Sequence, residues 1–339
     1  MTGENQTAFR IRLYREEDEP AVLSLLHTAF GRWPDDVDVR DPTELFRWKH
    51  MANPLGRSVM VVAEADGTLI GFAAWVLWRM SASGQTFAAF RGVDLAVHPR
   101  HRRKGVAAAL TRDGINHFPK DAAFTFSEPN ELRRSGSLKG GTAEVGAFPL
   151  LVRLRAPLRT AARLIDRNSR TMAVVHAESA AEALRDHEGV AALLAHVEQS
   201  DVRLSTVKDP DYLAWRYGGL PYYRAIREHR DGRLAGLAIF RVRSRGRSLV
   251  TNLCELLVPP GDRATSRRLL HRVVHAAAVD YIICHFPAGS TARQAAMRCG
   301  FLRLRSGPVP TLRRIRDDIT PDPGDRRSWA ICLGDLDLL

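Results

Sequence analysis

Along the first half of the chain, apolar positions switch between the two-residue repeat of a strand and the 3.6-residue repeat of a helix. The pattern predicts a strand at Phe9–Tyr14, a helix near Glu19–Phe30 and a second helix over Pro42–Met51. Three strands follow at Ser58–Glu64, Thr68–Trp78 and Thr86–Val97. Asp66-Gly67 and Ser83-Gly84 join them as tight turns, because such pairs adopt the positive φ angles a two-residue hairpin needs. Helical spacing returns at Val106, Ala109, Leu110 and Ile115 and runs to Phe118. Short strands at Ala122–Phe126 and Ala143–Leu154 bracket a segment beginning at Asn130. Strand alternating with helix near the centre predicts a mixed α/β sheet.

Three segments of this half recur in order in the second half. Asp41, Pro42, Leu45, Trp48 and Lys49 answer to Asp209, Pro210, Leu213, Trp215 and Arg216, about 168 residues on. Asp66–Ala73 answers to Asp231–Ala238 at 165, again a hairpin around Asp-Gly. Val97-His98-Pro99 answers to Val258-Pro259-Pro260 at 161. One fold, duplicated, is therefore expected: a first domain at 1–156, a linker at 157–170 and a second domain at 171–339. With 339 residues, two domains of ordinary size fit the length.

Composition changes little. Apolar residues make up 45% and charged residues 26%, both near globular averages. The longest apolar run, Leu69–Trp78, is half of what spans a bilayer, so no membrane partner is expected. The first residues carry no apolar leader, which points to the cytoplasm. Cys254, Cys284, Cys299 and Cys332 have no metal-ligand spacing, so no metal is expected and the thiols are read as reduced. The net charge of +12 comes from scattered arginines rather than one stripe, so no nucleic-acid partner is expected, although a phosphate-bearing one would be welcome.

The candidate chemistry lies between Val93 and Leu110, where a strand feeds a basic loop that opens a helix. The unpaired amides of a helix's first turn, backed by the helix dipole, bind phosphate. Gly105 and Ala107 keep that turn bare, while Arg102, Arg103 and Lys104 offer charge-assisted contacts and Val106 its backbone. The run Arg102, Gly105, Ala107, preceded by Val97-x-Pro99, resembles the acyl-CoA signature of the GNAT N-acetyltransferases. It also falls at the place in the element order where that superfamily carries it. The resemblance implies two tandem GNAT-like acyl-CoA N-acyltransferase domains. The second is degenerate, because at an offset of 161 Gly105 becomes Ser266 and Ala107 becomes Arg268. That lobe would brace the first, with Trp215, Arg216, Tyr217, Pro221, Tyr222 and Tyr223 packing against it or lining its cleft.

The resemblance further implies acetyl-CoA, or another acyl-CoA, as co-substrate. Its pantetheine arm would lie along the backbone of Leu95, Ala96 and Val97 and near Asn130. A small-molecule primary amine would attack the thioester directly, with no covalent enzyme intermediate. The superfamily's usual base position holds Arg91, which stays charged and cannot accept a proton. Asp94 and Glu128 are the substitutes, and Ser137 stands where a tyrosine acid is usual. Two other readings stay open at this point: an aminoacyl-tRNA-dependent peptidyltransferase-like protein, and a non-catalytic acyl-CoA-binding scaffold. A homodimer is compatible with each of these readings and with the acyltransferase.

Overall fold

The computed structural model describes residues 9–34, 41–129, 134, 136, 138, 140–155, 174–197 and 202–336. Its first lobe runs β1 (Arg10–Leu13), α1 (Glu19–Phe30), α2 (Pro42–His50), β2 (Val59–Ala65), β3 (Thr68–Ala82), β4 (Gln85–Val97), α3 (Val106–Asn116) and β5 (Ala122–Ser127), as the periodicity predicts. The turns take the expected conformation: φ is 50° and 71° at Asp66 and Gly67, 50° and 78° at Ser83 and Gly84, and 50° and 74° at Asp231 and Gly232. Asp41 caps α2 by accepting from the amides of Thr43 and Glu44, and Pro42 at the first helical position needs no donor.

The expected single strand at 143–154 is instead two strands, β6 (Ala143–Glu144) and β7 (Leu151–Leu154), and they enter different sheets. The second lobe contributes β8 (Glu178–Ser179), β9 (Ser205–Thr206), β10 (Arg224–Arg230), β11 (Arg233–Arg245), β12 (Ser248–Leu257), α4 (Arg263–His275), β13 (Tyr281–Cys284), β14 (Leu302–Arg303) and β15 (Thr311–Arg314). One sheet has the order β1-β2-β3-β4-β5-β15-β6, with β9 added on β3, and the other β8-β10-β11-β12-β13-β7-β14. Strand by strand the two match: antiparallel meanders, one parallel pair (β4 with β5, β12 with β13), then an antiparallel closing strand.

The closing strands are exchanged. β7 of the first half pairs with β13, while β15 of the second half pairs with β5 in the register Thr311↔Ser127 through Arg314↔Phe124. Each sheet is thus completed by the other half of the chain, so neither lobe's sheet is whole without it.

A shared core joins the lobes. Trp48 and Trp215 stack with ring centroids 5.5 Å apart. Each indole N–H donates to the other's backbone carbonyl, at 2.7 Å from Trp48 and 2.9 Å from Trp215. This reciprocity is what a pseudo-two-fold relation between α2 and the π-helical turn Ala214–Gly218 produces. Trp78 continues the cluster toward Tyr212 and Phe126. Burying indoles of this size contributes roughly 1.5–3 kcal/mol each.

Buried polar groups cross the same seam. Lys208 places its ammonium 2.7 and 2.8 Å from the Glu255 carboxylate and 3.5 Å from Asp335. Glu255, Cys332 and Asp335 bring three metal-type donor atoms within 4.8 Å of one another, but Lys208 Nζ, also 3.3 Å from Cys332 Sγ, is the cation already there. Trp215, Arg216, Tyr217 and Tyr223 are all buried, as packing residues would be. Among the described residues no helix is long and apolar enough to cross a membrane.

Candidate functional site

The site is built where β4 parts from β5. Their parallel pairing runs from Ala88↔Ala122 to Arg91↔Phe126 and ends there, whereas β4 stays paired to β3 as far as Val97↔Gly71. Among the described residues no strand therefore pairs with Gly92–Val97 on the β5 side, which opens a wedge flanked by Leu95, Ala96 and Val97. Ala96 is buried, and Leu95 and Val97 are half-buried. On the far side of β5 lies β15, so a strand of the second half backs the strand that bounds the wedge.

A bulge bends β4 at this point. Phe72 faces Ala96 and Ala74 faces Val93, leaving Asp94 and Leu95 opposite Ala73 alone. Asp94 takes the extra turn with φ 50°, a conformation aspartate tolerates better than most residues. Its side chain does not reach Arg91 or Arg102. Instead Oδ1 accepts from Trp33 Nε1 at 2.9 Å, while Oδ2 lies 3.0 Å from Lys49 Nζ and 3.2 Å from His50 Nε2. Burial opposes the charge on Asp94, but Lys49, His50 and Trp33 outweigh it and hold the carboxyl well below the usual range. His50 is completely buried, and burial pushes its imidazole below the ordinary value despite the Asp94 contact. A neutral ring donating from Nε2 to Asp94 would accept from Ser58 Oγ, 3.1 Å from Nδ1. Geometrically, Asp94 is an anchor that ties the bulge to α2.

Arg91 is equally committed. Buried at 4% exposure, its guanidinium donates to the carbonyls of Asp335 and Leu336 and lies over the Trp78 and Phe126 rings at 5.5 and 5.9 Å. The last helical turn, Leu333–Leu336, is thereby fixed at the residue where the wedge opens.

From Val97 the chain enters a single 3-10 turn at Pro99–His101, capped by His98, whose Nδ1 accepts from the Arg100 amide. His98 is thus part of the loop's own structure. Arg102 donates to the carbonyl of Ala29 at the end of α1, at 2.6 Å, and to that of Val97 at 3.4 Å, which pins the loop over the wedge. Arg102, Arg103 and Lys104 are exposed. α3 then starts at Val106 from Gly105, whose φ of 80° suits a residue without a Cβ, and no side chain caps the first turn. A Cβ at Gly105 would meet nothing within 4 Å, so the space over the turn is open. Val106 turns its side chain into the core and presents only backbone. Glu128 is half-buried just beyond β5, and Asn130 and Ser137 lie outside the described residues.

The second lobe shows how the same position is closed. Gly71 lets α3 approach β3, since a Cβ there would lie 2.9 Å from Val106 and from Leu110. At the matching Gly236 a Cβ would lie 2.7 Å from Thr265 and 2.9 Å from Leu269. Packing therefore equates Val106 with Thr265 and Leu110 with Leu269, an offset of 159 rather than 161. Ala107 corresponds to Ser266, and Gly105 to Ala264. The expected blockade by Ser266 and Arg268 is not what closes the turn. Ser266 donates to the Asp262 carbonyl, and Arg268 turns away to Glu228 at 2.5 Å. Asp262 does the closing: its carboxylate accepts from the Thr265 amide and hydroxyl at 3.0 and 2.8 Å and from Arg230 at 3.0 Å, supplying α4 with its own anion.

Sequence reasoning missed Trp33, Lys49 and His50. One signal was available: the repeated Trp-Lys and Trp-Arg pairs, 48–49 and 215–216, are basic residues in otherwise core-facing motifs, and both cations are buried.

Residues 10–131 match the family model for an acetyltransferase (GNAT) domain. They form a GNAT domain. No curated protein sequence matches the chain. Solved structures extend the GNAT likeness to nearly the whole chain. A conserved protein of unknown function from Enterococcus faecalis V583 aligns with a TM-score of 0.62 and 14% identity, over 91% of this chain and 73% of that one. A GCN5-related N-acetyltransferase from Anabaena variabilis gives 0.61 and 12% over the same shares. One from Kribbella flavida gives 0.59 and 16%, over 93% and 73%. At such identities the likeness establishes the GNAT fold and leaves activity to be argued from the site.

Proposed function

We propose that this chain is an acyl-CoA-dependent N-acyltransferase acting on a primary amine of a small molecule in the cytoplasm. The observation that carries the reading is the start of α3, a helix entered through a left-handed glycine with no capping side chain and three exposed cations before it. Amides of that turn, with Arg102, Arg103 and Lys104, suit a pyrophosphate. Gly105, Val106 and Ala107 would let it approach the main chain. The wedge suits an extended pantetheine arm paired with Leu95, Ala96 and Val97. When bound, acyl-CoA supplies an activated thioester, and a main-chain N–H of β4 aimed at its oxygen would favour the charge that develops during transfer.

The acceptor amine must lose a proton as it attacks. Asp94 is placed to hold the bulge rather than to take that proton, because its two oxygens already serve three donors. Of the two substitutes, Glu128, just beyond β5, is the one we assign to the task. No enzyme nucleophile is required, and every cysteine lies in the second half of the chain. The test is thiol release from acetyl-CoA in the presence of a panel of primary amines. Amine-stimulated release that falls at least tenfold in Glu128→Gln supports the assignment, and release that Glu128→Gln leaves unchanged removes Glu128 from it.

The saturation of Asp94 and Arg91 also favours a second reading, an acyl-CoA-binding protein without turnover. Tight acetyl-CoA binding with no thiol release for any amine would select it.

A further inference from the structure

The second lobe gathers three imidazoles at one place, far along α4 from its capped start. His271 and His275 sit one helical turn apart with ring centroids 4.5 Å apart and planes inclined at 47°. Residues four apart share a helix face, the spacing with which two histidines chelate one ion. His176 arrives from the segment before β8, and main-chain pairing fixes it there. Its amide donates to the Ala276 carbonyl at 2.7 Å, and Val175 bridges Ala277 in antiparallel fashion. All three rings line a cleft of about 440 Å³ together with Glu178, Ala225 and Ile226.

The surroundings choose the occupant. α4 ends at His275, so the carbonyl end of its dipole faces the cleft, which favours a cation and disfavours an anion. Glu178 is held by Arg227 through two hydrogen bonds of 2.8 and 2.7 Å, and Arg272 donates to the Arg227 carbonyl and to Glu228, away from the rings. Among the described residues no side-chain hydrogen bond engages His176, His271 or His275, and all three are exposed; their ring nitrogens do not converge within 4.8 Å as placed, so coordination requires the rings to turn toward one ion. Arg153 and Arg155 stand near His275 and oppose an incoming cation, so the ion must be held by coordination rather than by charge. Imidazole nitrogens coordinate zinc, nickel and copper and serve magnesium or calcium poorly.

We propose that His176, His271 and His275 form a binding site for a divalent transition-metal ion on the second lobe. It differs from the buried Glu255 cluster, which Lys208 fills, and from the expectation of no metal, which weighed only the cysteines. The two helical histidines supply the chelate and His176 a third ligand, leaving a fourth position to water.

The test is calorimetric titration of EDTA-treated, dialysed full-length protein with zinc chloride and nickel chloride, using magnesium chloride as control. One ion bound per chain, with no magnesium response, is expected. His271→Ala/His275→Ala should weaken zinc binding at least tenfold and His176→Ala several-fold, while Glu178→Gln leaves it unchanged. Circular dichroism should show each variant folded, because the replaced rings are exposed. Zinc binding that the double variant retains, or a wild type that binds neither zinc nor nickel, would overturn the site. So would binding of inorganic phosphate that depends on these histidines and excludes the metal.

Discussion

The two lobes start the same helix in opposite ways. In the first, the turn after the central bulged strand begins at Gly105 with no side-chain cap and exposed cations around it. In the second, Asp262 supplies a carboxylate from within the chain and Arg230 neutralises it. A helix that already carries its own anion has little use for a ligand's, so this cap, together with the lack of a basic loop before it, would set the second lobe apart from an anion-binding first lobe. Elsewhere the lobes keep the same devices. Each strand is bulged and places a carboxylate, Asp94 or Glu255, 161 residues apart and within hydrogen-bond distance of a lysine ammonium. Each tryptophan of the stacked pair holds the other's carbonyl.

The comparison can be broken first at its axis. Trp48→Ala removes the stack and orphans the Trp215 carbonyl, and should cost about 3–5 kcal/mol in denaturant unfolding. Trp215→Ala should cost about the same, since the contacts are reciprocal. A loss under about 1 kcal/mol for either would contradict a shared core.

Next come the carboxylates. Asp94→Asn leaves Lys49 buried without its counter-charge and should cost about 3 kcal/mol. Glu255→Gln should cost less, because Lys208 keeps Asp335 at 3.5 Å. The sign of the pH effect follows from the depressed Asp94 carboxyl. Its contribution is full above the unfolded value of 3.8 and is lost as pH falls below it toward the folded value. Acid unfolding of the wild type should therefore steepen below about pH 4, and Asp94→Asn should lose that part of the slope. An unchanged slope would remove Asp94 as the acid-sensitive group.

The smallest effect tests the cap itself. Asp262→Ala should cost about 1 kcal/mol. It should not add a second acetyl-CoA site to the one expected in the first lobe, because the basic loop there has no counterpart in the second. A second equivalent of acetyl-CoA bound by that variant would show the cap alone to be decisive.

Much of the fold could be read from sequence because its signals are local. The Asp-Gly turns and the period changes each lie within one segment, and the repeat is seen by comparing such segments directly. The exchange of β7 and β15 could not be read this way, because strands of four residues, Leu-Val-Arg-Leu and Thr-Leu-Arg-Arg, carry no mark of which sheet they will complete. The loop at Arg102–Ala107 was legible for the same local reason. The anchors of Asp94 were not, because Trp33, from the segment after α1, and Lys49 and His50, from α2, meet it only in the folded chain. The offset of the second helix likewise depends on which side chains fit over Gly71 and Gly236, a fact of packing that counting residues from Val258 does not reveal.

The central claim is that the bare turn at Gly105 holds the cofactor's pyrophosphate. The most direct measurement is thermal unfolding with and without acetyl-CoA, on wild type and on Gly105→Arg, whose side chain would fill the open space over the turn. The variant's own midpoint should fall because of the left-handed φ, so the ligand-induced shift is the quantity to compare. At a hundredfold excess over Kd, binding should stabilise the wild type by about 2.7 kcal/mol. That corresponds to a few degrees, and Gly105→Arg should show none of it. An equal shift in both proteins would place acetyl-CoA elsewhere, and no shift in either would contradict acyl-CoA binding by this chain.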